Sequence, residues 1–324
     1  MRRRDFIKLV GSATTCWPLS VGAQEGSKVY NLGYLGLARI PSNIDALQTG
    51  LRELGYVDGK NLKIEYRFGG EHSETLDPQA SELVHLAPDV IVTDGTPAAL
   101  AAKRATKMIP IVMAAVGDPV RARIVASLAH PGGNITGVTL HASVLSSKRI
   151  EVLKEAVPGI LRLAVLGNAA NPYGQDMWEE TRSAAVALRI EPQLFAVQGV
   201  RELAGTFGTM KRTGADAVIV LADAMLTAAN GQISTLAAKH RLPAMYDSRE
   251  YVEAGGLMAY GPNIAEMARH SATLVGKILK GANPADLPIE QPTKFELVIN
   301  LKTAKALDLD IPSSILIRAD EVIE

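Results

Sequence analysis

Cysteine is almost missing from these 324 residues: Cys16 is the only one. The remaining chain therefore offers no internal disulfide, no thiolate metal ligand and no cysteine nucleophile, and its stability must come from packing. Aromatic residues make up just 5% of the chain, with tryptophan at Trp17 and Trp178 alone, which argues against a sugar site built on stacked indoles. Neither sign of charge dominates, at 34 Lys and Arg against 34 Asp and Glu. That balance leaves no electrostatic footprint for nucleic acid or an anionic membrane surface, and no nucleic-acid partner is expected. The apolar run that starts at Leu9 is too short to cross a bilayer as a stable helix. His72, His85, His130, His141, His240 and His270 stand apart without metal-ligand spacing, so no metal is expected. The chain also has no Gly-x-Ser-x-Gly elbow, no phosphate-loop Gly-Lys-Ser/Thr and no dinucleotide fingerprint, so neither a catalytic residue nor a cofactor is expected.

What is present begins at the N-terminus. Arg3-Arg4-Asp5-Phe6-Ile7-Lys8 has the pattern of a twin-arginine export signal, and Val21-Gly22-Ala23 supplies the small residues of a cleavage site. Residues 1–23 are expected to be removed, leaving a periplasmic protein of net charge −3, with 30 basic against 33 acidic residues. Ala13-Thr14-Thr15 is a poor context for lipid attachment at Cys16.

From Lys28 onward, short β-branched runs alternate with amphipathic stretches, the grammar of βα units and parallel sheets. Val90-Ile91-Val92 and Val218-Ile219-Val220 are apolar without interruption, as in strands covered on both faces. Helical spacing runs through Ile44–Leu54, Ala98–Lys107, Pro119–Leu128, Gly174–Leu188 and Ile264–Lys280, among others. The two halves echo each other. Leu32–Gly36 recurs as Leu163–Gly167, Ala87–Val92 as Ala215–Val220, and Ile109–Met113 as Leu242–Tyr246, always about 130 residues on and in the same order. The expected fold is α/β: two doubly wound parallel-sheet lobes joined by a multi-strand hinge. Residues 28–139 with 262–284 are expected to form lobe 1, and residues 140–261 with 285–324 lobe 2.

A series of motifs then resembles a known family. It runs through Leu32-Gly33-Tyr34-Leu35, Leu54-Gly55-Tyr56-Val57-Asp58-Gly59-Lys60-Asn61-Leu62, Gly132-Gly133-Asn134-Ile135-Thr136-Gly137 and Gly255-Gly256-Leu257-Met258-Ala259-Tyr260-Gly261. It ends on Leu307-Asp308-Leu309-Asp310-Ile311-Pro312-Ser313-Ser314. In order, these are similar to ABC-transporter substrate-binding proteins of the tryptophan/tyrosine-uptake type. The resemblance implies a type I periplasmic binding fold that captures a small solute, often an amino acid or aromatic carboxylate, and delivers it to a membrane permease. Leu307-Asp308-Leu309 departs from the pattern, which has Leu-Gly-Leu there.

In open α/β sheets, ligands sit beyond the carboxyl ends of strands, where helix N-termini point inward. On the first half those ends carry Leu37, then Gly95 and Thr96 with Thr96 at a helix cap ahead of Pro97, then Gly117 and Asp118. Gly95-Thr96 reads as an anion site or a plain cap, and Asp118 as a cap or a ligand contact. On the second half, Asn168, Asn171 and Tyr173 share one turn, where Tyr173 either closes the cleft or packs on its helix. Asp223 and Asp247 are candidates to hold an ammonium, or solvated loop carboxylates. Tyr246 and Tyr260 are candidate ring-stacking walls. The expected function is capture of a carboxylate-bearing solute by a monomer. The rivals are an exported hydrolase or racemase and the sensing module of a receptor.

Overall fold

Uninterrupted apolar runs can be buried on both faces only in a sheet covered by helices on each side, and two such sheets form here. The computed structural model describes residues 28–70, 73–140 and 145–324. The export signal, Cys16, His72 and His141 lie outside the described residues.

The first half runs β1 (Tyr30–Gly36), α1 (Pro41–Glu53), β2 (Leu62–Phe68), α2 (Leu76–His85), β3 (Val90–Asp94), α3 (Thr96–Ala105), β4 (Ile111–Val116) and β5 (Ile135–Thr139). The second runs α4 (Ser146–Ala156), β6 (Arg162–Asn168), α5 (Gly174–Ala187), β7 (Glu191–Val197), α6 (Leu203–Arg212), β8 (Ala217–Val220), α7 (Ala224–Ala228) and α8 (Asn230–Lys239). It continues with β9 (Ala244–Tyr246), α9 (Arg249–Glu253), β10 (Met258–Gly261), α10 (Ile264–Leu279), β11 (Glu296–Asn300), α11 (Leu301–Ala306), α12 (Ser313–Leu316) and β12 (Glu321–Ile323).

The sheets have the orders β2-β1-β3-β4-β5 and β12-β11-β10-β9-β8-β6-β7. Five strands of the second repeat the order of the first, so the sequence echoes pair β1 with β6, β3 with β8 and β4 with β9. All pairings are parallel except β10 with β11. These are the two parallel-sheet α/β lobes of the type I arrangement. β11 and β12, which the sequence reading missed, extend the second sheet.

One face of the first sheet packs on α1 and α10 through Leu32, Ile44, Leu47, Met267 and Val275. The helices meet at Gly50, where a Cβ would lie 2.5 Å from the Arg269 carbonyl oxygen, so the backbones touch. Hence α10 returns to the first sheet although its neighbours in sequence belong to the second. Residues 287–290 also lie along β5, with Thr139 N–H donating to the Glu290 carbonyl and Glu290 N–H to that of Gly137.

The helix expected over Pro119–Leu128 does not form. Ala122 and Arg123 donate to the Asp118 and Val120 carbonyls in successive turns, and Arg123 takes φ +55°, which ends any helical path. Asp308 adopts φ +58°, the left-handed conformation that suits the glycine of the family pattern. Its carboxylate also pairs with Arg241. Asp308→Ala loses the polar side chain that tolerates this region and is expected to cost about 1 kcal/mol, read as a lower urea midpoint.

Candidate functional site

The carboxyl ends of β3, β4, β6, β8 and β9 surround one cavity between the lobes. At the end of β3, Asp94 is buried, and its Oδ2 accepts from the Tyr34 hydroxyl at 2.9 Å and Asn43 Nδ2 at 3.0 Å. Burial pushes its carboxyl above the usual range, while the two hydrogen bonds pull the other way. Gly95 follows at φ +89°, a conformation that excludes most side chains, and caps α3. The cap is thus Gly95, one residue before the position read from sequence. Thr96 lies in the first turn, and its Oγ1 accepts from the Gly117 N–H at 3.2 Å, tying β3 to the end of β4.

In the second lobe Asp223 caps α7. Its Oδ1 accepts from the Met225 and Leu226 N–H groups, and its Oδ2 from Asn168 Nδ2 at 3.1 Å and Asn171 Nδ2 at 3.0 Å. Four hydrogen bonds occupy this carboxylate. Asp247, just after β9, differs: its Oδ1 is buried and has no hydrogen-bond partner among the described residues. Glu250 on α9 also lines the cavity, and its Oε2 is buried in the same condition. Burial raises the Asp247 carboxyl to about 6, opposed by the Arg149 guanidinium and reinforced by Glu250. Arg149 donates from Nε to the Tyr260 carbonyl at 2.7 Å. No Lys, Arg or His is among the described residues lining the cavity.

The larger apolar side chains of the lining are Ile40, Leu140, Tyr173, Met177 and Ile264. Tyr173 crosses the cleft: a Cβ on Gly117 would lie 2.5 Å from its ring.

Of the residues chosen from sequence, Gly95, Thr96, Gly117, Asn171, Tyr173, Asp223 and Asp247 line this cavity. The other five are placed elsewhere. Leu37 is buried in the core beneath α2 and α3. Asp118 accepts from the Val120 and Arg121 N–H groups, as a turn cap does. Asn168 stands behind Asp223. Tyr246 is fully buried and stacked on Tyr251, with centroids 4.5 Å apart, so it is core and not an exposed wall. Tyr260 sits at a lobe crossing beside Phe295. Sequence reasoning missed Asn43, Asp94 and Glu250. Asp94 had a legible signal, a carboxylate between an apolar strand and Gly95-Thr96-Pro97; Asn43 and Glu250 sit on helices whose facing only the fold reveals.

A family model described as ABC transporter substrate binding protein matches residues 40–323. A tyrosine-binding protein of Clostridioides difficile is 28% identical over 296 residues, covering 88% of this chain and 83% of that one. An ABC domain from Streptococcus pneumonia in complex with L-Trp is 29% identical, with a TM-score of 0.85 over 91% of this chain and 100% of that one. The ligand-free, open structure of an adhesive substrate-binding protein from Clostridium difficile is 25% identical, with a TM-score of 0.64 over 91% and 99%.

Proposed function

The chain belongs to the ABC transporter substrate-binding proteins, which act outside the cytoplasm and hand small solutes to a membrane permease, and we propose that its solute is a free α-amino acid with an aromatic or branched side group. The observation that carries this reading is the charge of the cleft. Asp247 Oδ1 and Glu250 Oε2 are buried acceptors without donors among the described residues, and no Lys, Arg or His among those residues lines the cavity, so a solute that brings its own positive charge fits it. An ammonium, with three N–H donors, meets that need. The solute's carboxylate falls to the amino end of α3 at Gly95-Thr96, and its side group to Tyr173, Met177, Leu140 and Ile264. The relatives' tyrosine and L-Trp belong to the same class. Of the carboxylates named from sequence, Asp247 is the better ammonium partner, because Asp223 is already occupied.

The rest of the proposal follows the same reading. Residues 1–23 direct export by the twin-arginine route to the periplasm, and the mature protein acts as a monomer without catalysis. Residues 28–139 with 262–290 form lobe 1, and residues 140–261 with 291–324 form lobe 2. A higher TM-score against the L-Trp complex than against the open relative supports a closed arrangement.

Calorimetric titration tests the amine requirement. L-tyrosine and L-tryptophan are expected to bind, and their des-amino analogues to bind at least about tenfold more weakly, as does L-tyrosine to Asp247→Asn. The pH dependence has a definite sign. Asp247 must be ionised to hold an ammonium, so affinity is level above pH 6 and falls by up to about tenfold per unit below it. Equal affinity for the des-amino analogues would sink the reading.

A further inference from the structure

We infer that Arg121, at the rim of the cleft, is an electrostatic latch that holds the closed arrangement and sets how slowly a bound solute leaves. The inference rests on the protein being a solute receptor that closes. Arg121 belongs to the loop after β4, in the first lobe, while Asp176 and Glu180 belong to α5, in the second. Its Nη2 donates to Asp176 Oδ1 and its Nη1 to Glu180 Oε1, both at 2.9 Å. Asp176 and Glu180 are one helical turn apart, so both carboxylates stand on the same face of α5. A guanidinium presents its N–H groups in a planar fork, which suits it to engage two acceptors at once.

Two neighbouring features hold the fork in place. Asp118 Oδ1 accepts from the Val120 and Arg121 N–H groups at 3.0 Å each, fixing the turn that carries Arg121. Four residues earlier, Gly117 lies under the Tyr173 ring, and Tyr173 directly precedes α5. The loop of residues 117–121 and the start of α5 thus meet twice, once through a ring on a glycine and once through the ion pairs. Arg121 does not line the cavity, so its effect on the solute is through the lobes.

An exposed ion pair contributes little to the stability of a rigid fold. Across two lobes that open and close, the same small preference biases the population of the closed state and appears in the release rate. Arg121→Met keeps the aliphatic stem and removes the fork.

Stopped-flow release of L-tyrosine is expected to be about three- to tenfold faster from Arg121→Met than from the wild type at low salt. Rising salt should speed release from the wild type more than from the variant, because the exposed latch is screened far more than the buried contacts to the solute. A charge swap, Arg121→Glu with Asp176→Arg and Glu180→Arg, should slow release again relative to Arg121→Glu alone. Small-angle scattering of ligand-free protein supplies an arm that needs no solute, with a larger radius of gyration expected for Arg121→Met. If the wild type fails to bind L-tyrosine and L-tryptophan, the amino-acid reading fails and the scattering arm alone judges the latch. Release rates and radii equal to those of the wild type, or a salt response as large in Arg121→Met as in the wild type, would overturn it.

Discussion

Replacing Gly261 with alanine is expected to destabilise the protein by more than about 3 kcal/mol, seen as a steep fall in the urea midpoint. Gly261 ends β10, where the chain leaves the second sheet for α10. A Cβ there would lie 1.8 Å from the Asp247 carbonyl oxygen and 3.0 Å from its carbon. Both are backbone atoms, so no rotamer change relieves the overlap. The neighbouring register, with Met245 beside Met258 and Tyr246 beside Ala259, would have to shift, and Asp247 would move with it. Arg149 Nη2, at 3.2 Å from the same point, closes the other side. Gly205 serves as a control of opposite sign. It lies in α6 with open space around its Cα, so Gly205→Ala should stabilise the protein by about 0.5–1 kcal/mol. Equal urea midpoints for Gly261→Ala and wild type would contradict the packing described here.

Gly117→Ala is expected to leave folding nearly intact and to weaken amino-acid binding about 10- to 100-fold. Its Cβ would lie 2.5 Å and 2.7 Å from two carbons of the Tyr173 ring, and Tyr173 is buried. That ring belongs to the other lobe, so the collision exists only when the cleft is shut, and the strain falls on closure instead of on the fold. Overpacking of this degree typically costs about 1–3 kcal/mol, or about 5- to 150-fold in Kd, which brackets the stated range. Calorimetry measures the affinity and thermal denaturation the stability. Tyr173→Leu added to Gly117→Ala removes the facing ring edge and should recover part of the affinity. Unchanged affinity in Gly117→Ala would show that binding does not need this contact.

Much of the scaffold was legible along the chain because it depends on local periodicity. Val90-Ile91-Val92 and Val218-Ile219-Val220 are strands because each residue is apolar, and being buried on both faces follows from that alone. The echo of β1, β3 and β4 in β6, β8 and β9 likewise needs nothing beyond the sequence. Glycines and carboxylates just past those strands marked the cleft, and seven of the chosen residues line it.

Tertiary structure decided the rest, through pairings between distant residues. Glu290 paired with Gly137 and Thr139 lays residues near 290 along β5, and the pairing of β11 with β10 extends the second sheet. Tyr246 is core because Tyr251 covers its ring, and no spacing announces that partner. Asp223 and Asp247 look equivalent as strand-end carboxylates. Only the fold shows that two asparagines and two backbone amides engage the first, while one buried oxygen of the second has no donor among the described residues. Local pattern determines which residues are apolar, helical or turning, because neighbours in sequence govern those properties. Which polar groups remain available to a solute depends on contacts between residues far apart in sequence, such as Asn168 with Asp223, and those exist only once each lobe has folded.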